Sequence, residues 1–238
     1  MTRHGALALA GLLREAYDLV LPATCAGCAT PGVSMCGTCH GALDACLTAG
    51  PITPRHTQVA GLPPLWAAGA YQGPLRRVIV AYKDGDRRDL RGTLAPLLAA
   101  ALAPALSTAP GDRTPVPVAV PSSPVSRRRR GDDPLRDLTH CALRLLGRGP
   151  PPAHEPLLVV SRRVADQSGL DARARSANLA GAFTARTGLP GTPCVLVDDV
   201  VTTGATLAEA ARALRAAGAR PMGCAVVAAT PRHGRRRT

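Results

Sequence analysis

The residues best equipped for chemistry run from Cys194 to Thr206: Cys-Val-Leu-Val-Asp-Asp-Val-Val-Thr-Thr-Gly-Ala-Thr. Cys194 to Val197 is short, apolar and β-branched, as a buried parallel strand is, and Leu207 onward turns helical with Leu207, Ala210, Ala211 and Leu214 on one face. The segment between them therefore joins a strand to a helix. Backbone N–H groups at a helix start favour an anion, and Thr202, Thr203 and Thr206 add hydroxyl donors around Gly204 and Ala205. A phosphate monoester fits that cradle. Asp198 and Asp199 stand at the carboxyl end of the strand, where open α/β sheets bind ligands, and suit ribose hydroxyls or a divalent cation. One loop would grip both the sugar and the phosphate of a phosphorylated sugar. The plainer reading is an acidic strand end followed by a Thr-rich helix cap; strand, acids and loop occurring together in this order favour the ligand site. The chain has no Gly-x-x-x-x-Gly-Lys-Ser/Thr, and no Gly-x-Gly-x-x-Gly follows a strand pattern, so neither a P-loop nor a dinucleotide fold is supported.

A second chemical signature lies near the start. Four of the eight cysteines form two Cys-x-x-Cys pairs, Cys25 with Cys28 and Cys36 with Cys39, separated by seven residues. Each pair can curl around one ion and present two thiolates, which together complete the tetrahedral site of a structural Zn(II). Gly27 and Gly37 relax the two turns. A closed four-cysteine shell leaves no position for substrate, so its role is to fold a segment too small for its own core. Disulfides are the alternative, disfavoured without an export signal. His40 and Cys46 are bystanders beside a full shell, and Cys141, Cys194 and Cys224 read as core residues.

The elements that must position these groups are drawn from 238 residues, enough for one ordinary domain with a small appendage. The chain is 46% hydrophobic but only 2% aromatic, so Ala, Leu and Val must fill the core. Its formal net charge is +13, and Lys83 is the only lysine. That charge permits binding to a polyanion and equally suits a solvated cationic surface. The base-stacking platforms of single-strand binders need aromatic faces, and Trp66, Tyr17, Tyr71, Tyr82 and Phe183 are the whole supply. Ala6, Leu9, Leu12, Leu13 and Ala16 fit an amphipathic helix better than a signal peptide. The longest Ala/Leu segment, Leu94 to Leu106, is too short for a membrane span and holds Pro96 and Pro104. A cytoplasmic protein is the simplest expectation.

The pattern predicts a helix and cysteine module over 1–50, a Pro-rich linker over 51–64, a main domain over 65–231 and a basic tail over 232–238. Within the main domain we expect a strand at Trp66 to Tyr71 and a helix over Pro74 to Tyr82 leading into Lys83-Asp84-Gly85-Asp86. An Ala/Leu helix follows over Arg88 to Leu106, then a strand at Val116 to Val120 and an Arg-rich loop from Pro121 to Asp133. A helix over Leu135 to Leu146, a strand or extended segment at Leu157 to Val160 and a polar excursion from Arg162 to Ala182 precede the site strand, and Cys224 to Ala229 supplies a last strand. Strands alternating with helices imply a parallel sheet covered on both faces.

At Cys194 to Thr206 the chain resembles the phosphoribosyltransferases, and across nearly its whole length it is similar to the ComF family of competence-associated, phosphoribosyltransferase-like proteins. The wider resemblance is carried by Leu21-Pro22 before the first cysteine pair, by the second pair, by Tyr82-Lys83 with Gly85-Asp86, by Val118 to Pro121 and by Arg130-Gly131. Arg162, Gln167, Arg175, Asn178 and Gly181-Ala182-Phe183 extend it. It implies a type I phosphoribosyltransferase-like α/β sheet with a small zinc module. It also implies binding of phosphoribosyl pyrophosphate with Mg(II): Asp198 and Asp199 on the ribose, Thr202, Thr203, Gly204, Ala205 and Thr206 around the 5-phosphate, Lys83 and Gly85 on the pyrophosphate. For Lys83 a solvated surface turn is the alternative. Arg127 to Arg130 suits a cationic hood over pyrophosphate and a nucleic-acid or solvent-facing loop equally; relatives follow Arg-Gly with an aromatic and an amide, whereas this chain has Asp132-Asp133-Pro134. No residue stands out as a general base. Two functions follow: transfer of ribosyl phosphate to an acceptor the sequence does not name, or a non-catalytic accessory role in DNA uptake, with single-stranded DNA and the uptake helicase machinery as partners.

Overall fold

A computed structural model of the chain describes residues 23–54, 59–108, 113–121, 133–149, 157–161 and 179–231. The expected helix before residue 23, Arg127 to Arg130, Arg162, Gln167, Arg175, Asn178 and the basic tail lie outside these. Among the described residues the main sheet has four parallel strands: β1 (Leu65–Ala70), β2 (Val116–Ala119), β5 (Pro193–Val201) and β6 (Arg220–Ala229), in the order β1-β6-β5-β2. β5 and β6 are therefore central, and each carries a run without alternation that is buried on both faces, Cys194–Val197 and Gly223–Ala229.

Period-two alternation divides these strands between two cores. Val195 and Val197 of β5 and Ala225 and Val227 of β6 join one, with α1 (Gly37–Ala49), α2 (Gly73–Asp84), α3 (Arg91–Leu106) and α4 (Pro134–Leu145). Cys194 and Leu196 of β5 and Cys224 and Val226 of β6 join the other, under α5 (Ala205–Ala216). Helix α3 is apolar all round because it is enclosed: Leu97, Leu98 and Leu102 are fully buried, each contributing about 2 kcal/mol of burial. Among the described residues no helix is long and apolar enough to cross a membrane.

The expected elements are present with three differences. Arg88–Leu90 forms a single 3-10 turn before α3 rather than its first turn. The chain also has a second, two-stranded antiparallel sheet, β3 (Leu158–Val160) with β4 (Phe183–Ala185), packed on the α5 side. β3 falls on the stretch expected as a strand or extended segment, whereas β4 directly follows the polar excursion, and its three residues carry too little periodicity to stand out. Finally, within the Pro-rich stretch expected as a linker, Ile52 exchanges both backbone hydrogen bonds with Ala67 of β1 at 2.8 and 2.9 Å. The cysteine module is thereby tied to the sheet edge, and Leu43 of α1 shares the core of α2 and α3.

Candidate functional site

The carboxyl ends of the parallel strands converge at one edge, where Tyr71 N–H bonds Ala229 O at 2.7 Å and Thr230 N–H bonds Val201 O at 2.9 Å. β5 continues through its two acids to Val201, four residues beyond the apolar run. The backbone N–H of Asp199 donates to Asp198 Oδ1 and that of Val200 to Asp199 Oδ1, both at 2.8 Å, so each carboxylate is held by the residue after it.

Helix α2 starts beyond the end of β1, at Gly73, and reaches the start of α4, where the buried Tyr82 hydroxyl donates to Pro134 O at 2.8 Å. In this arrangement Lys83 occupies the last turn of α2 rather than a loop beyond it, because the Leu75, Val78, Ile79, Tyr82 face sustains the helix until Gly85. A Cβ at Gly85 would stand 2.9 Å from Ala81 O, so glycine lets the chain turn tightly there. Lys83 Nζ lies 2.5 Å from Asp199 Oδ2. Its side chain is 45% exposed along its length, yet its ammonium sits deep enough that burial alone would lower its pKa; Asp199 and then Asp198 outweigh this and raise it. Burial first, and the neighbouring Asp199 second, push Asp198 well above the ordinary carboxylate range against the pull of Lys83.

The loop after β5 turns at Gly204, whose φ of 87° puts it in the left-handed region that glycine adopts at little cost. Gly204 is the N-cap of α5, and Thr203 Oγ1 accepts from Ala205 N–H at 3.4 Å. The remaining first-turn N–H groups, including those of Thr206 and Leu207, have no partner within the helix. Asp198, Asp199, Lys83 and the loop 202–206 are thus brought to one strand edge, while Gly85 is placed in the turn behind Lys83.

Sequence reasoning missed the pair that seats this helix. Glu209, 8% exposed, takes a bidentate contact from Arg212 at 2.7 and 2.8 Å and accepts the backbone N–H groups of Gly181 and Phe183. Arg212 Nη2 donates to Phe183 O at 3.4 Å. Burial works to raise the Glu209 pKa, but the Arg212 contact outweighs it and the carboxyl is held below its ordinary value. A Glu three residues before an Arg on a helix was a visible signal; its attachment to β4 was not.

Cys25, Cys28, Cys36 and Cys39 present four sulfurs all within 4.8 Å of one another, with Cys28 and Cys36 Sγ 3.6 Å apart. Tetrahedral Zn(II) with bonds of about 2.3 Å separates its sulfurs by about 3.8 Å, so the donor set fits. Cys36 is the N-cap of α1. A Cβ at Gly27 would meet Cys39 Sγ at 2.5 Å, so glycine is needed here for close approach. Burial would raise the Cys25 thiol, but N–H donation from Cys36, Gly27 and Cys28 brings it down to about 6; burial and the other sulfurs push Cys39 up to about 12. His40 turns away to Asp44 at 3.0 Å, and Cys46 packs against Gly69. Cys194 and Cys224 are core residues that burial pushes up to about 11 and about 12, poor nucleophiles.

The phosphoribosyl transferase domain model matches residues 154–237. The chain is also similar to the DNA utilization protein YhgH of Salmonella typhi, 33% identical over 171 residues that cover 66% of this chain and 70% of that protein. Identity at this level over that length is common ancestry, and together with the domain match and the four-cysteine cluster it has one meaning: the chain belongs to the ComF family of phosphoribosyltransferase-like proteins.

Proposed function

We propose that the chain binds phosphoribosyl pyrophosphate with Mg(II) at the carboxyl edge of its sheet and transfers the ribosyl phosphate to an acceptor. Asp198 and Asp199 accept from the ribose hydroxyls, the N–H groups and hydroxyls of 202–206 hold the 5-phosphate, and Lys83, with the turn at Gly85, meets the pyrophosphate. One or two carboxylates together with substrate phosphates are the donor set Mg(II) takes, and the bound ion supplies charge neutralisation of the pyrophosphate. Displacement at the anomeric carbon then depends on orientation and on stabilising the departing charge.

The observation that carries this reading is the contact of the chain's single lysine with Asp199 beside the left-handed turn that opens α5. A cation and two acids within reach of one helix N-terminus match a ligand that is anionic at both ends and hydroxylated between them. Calorimetry of phosphoribosyl pyrophosphate with and without Mg(II), on zinc-loaded protein, tests it. Mg-dependent binding, abolished in a folded Asp198→Asn/Asp199→Asn protein, is expected; equal affinity in that variant refutes the assignment.

A second reading, a DNA-handling accessory role, is favoured by the relative's description as a DNA utilization protein and by the net charge of +13. It requires single-stranded DNA binding that falls steeply with salt. Binding insensitive to salt, or none, counts against it.

A further inference from the structure

Lys83 sits between two arginines that both grip the cysteine module. Arg77, on α2, donates from Nε to Gly27 O inside the first Cys-x-x-Cys pair. Arg87, in the turn after α2, donates from Nη1 to Thr24 O at 3.1 Å, and from Nη2 to Ser34 O at 3.3 Å and Ser34 Oγ at 2.7 Å. Asp89 fixes that guanidinium with two contacts of 2.8 and 2.9 Å and accepts the Ser34 hydroxyl. Thr24 adjoins Cys25, Ser34 lies two residues before Cys36, and Ser34 O also accepts Ala26 N–H at 3.0 Å, so Arg87 clasps the approach to both cysteine pairs.

The connection from Lys83 to Arg87 is short and folded back on the helix. Gly85 N–H and Arg87 N–H both donate to Ala81 O, at 3.0 and 3.1 Å, and Asp86 adopts a φ of 54°. Arg88 reinforces the turn, with Nη1 on Tyr82 O at 3.0 Å and Nη2 on Asp86 at 3.1 Å. A displacement of Arg87 therefore has little slack to absorb it before Lys83.

We propose that Arg87, held by Asp89, is a positioning residue through which the metal-loaded knuckle sets Lys83 against Asp199. The module then acts as a prop for the pyrophosphate side of the ligand site as well as a fold of its own. A guanidinium suits this role because its planar fork satisfies three carbonyl or hydroxyl acceptors and a carboxylate at once, which an ammonium cannot do. This inference rests on the proposed ligand for its binding arm, but its spectroscopic arm is independent of any ligand.

Because Lys83 is the only lysine, protein labelled with 13C at the lysine ε carbon gives one side-chain resonance. That resonance reports the Asp199 contact, and Asp199→Asn supplies its uncoupled position. In Arg87→Ala, and in Arg87→Lys as the gentler variant, we expect full zinc content and a resonance shifted toward the Asp199→Asn position. Stripping zinc from the wild-type protein with a chelator should move it the same way. Affinity for phosphoribosyl pyrophosphate should fall about tenfold in Arg87→Ala, within the range by which a single coupling residue acts. Affinity for ribose 5-phosphate, which lacks the pyrophosphate, should change less than about twofold. In a Lys83→Met background the Arg87 substitution should add nothing. A resonance unmoved in both zinc-replete variants, equal losses for the two ligands, or additive losses in the double variant would each overturn the coupling. If the wild-type protein binds neither ligand, the ligand assignment falls, and the resonance alone decides the inference.

Discussion

Replacing Glu209 by Ala removes the carboxylate that joins α5 to β4. The Arg212 pair is worth about 0.5–1 kcal/mol, because the arginine is 54% exposed and solvent screens it. The two backbone N–H bonds from Gly181 and Phe183 reach a nearly buried carboxylate and contribute about 1–1.5 kcal/mol each. The expected destabilisation is about 2.5–4 kcal/mol, which for a chain of this size lowers Tm by about 5–16 °C. Urea denaturation measures it, and hydrogen exchange should show β4 losing protection before β5 and β6. The sign of the pH dependence is fixed by the lowered pKa. The contribution is complete above the ordinary value of 4.5 and is lost as pH falls through the still lower folded-state value. Wild type and Glu209→Gln should therefore converge in acid. A Glu209→Ala protein within about 0.5 kcal/mol of wild type, the scatter of ordinary surface substitutions, would refute the reasoning.

Two further substitutions give opposite signs. Gly27→Ala puts a methyl 2.5 Å from Cys39 Sγ and should open the knuckle, seen as substoichiometric zinc by elemental analysis and a lower Tm that added zinc does not restore. Asp198→Asn should raise apo stability at neutral pH while abolishing ligand binding. The raised folded-state pKa means the wild-type carboxyl costs stability progressively as pH climbs above 3.8, and an amide escapes that cost. Thermal denaturation from pH 4 to pH 8 checks it, the two curves diverging as pH rises; parallel curves would show that Asp198 ionises freely.

The sequence made legible whatever is local or strictly spaced. The cysteine pairs named their cluster because four thiolates at that spacing have few other uses, and the apolar run, acids and small-residue loop named the site strand. The α2 face ended within two residues of its expected stop because Gly85 marks it. Contacts across long stretches of chain were hidden: nothing near Arg87 announces Ser34, and nothing near Ile52, in a Pro-rich stretch, announces Ala67. β4 was hidden for a different reason, since it owes its existence to β3 and to α5 rather than to any period of its own.

The sheet order also bears on how the chain assembles. β6, which follows every other described strand, pairs β1 on one side and β5 on the other, with Leu65 beside Cys224 and Leu196 beside the same cysteine. During synthesis β1 must wait, its edge unsatisfied, until the final strand emerges. Sheet closure is thus a late event with a large loop to close, slow by nature and exposed to mispairing while it waits. The cysteine knuckles, whose four sulfurs come from one short stretch of chain, need no such partner, and Ile52 gives the waiting strand something to lean on from the side synthesised first.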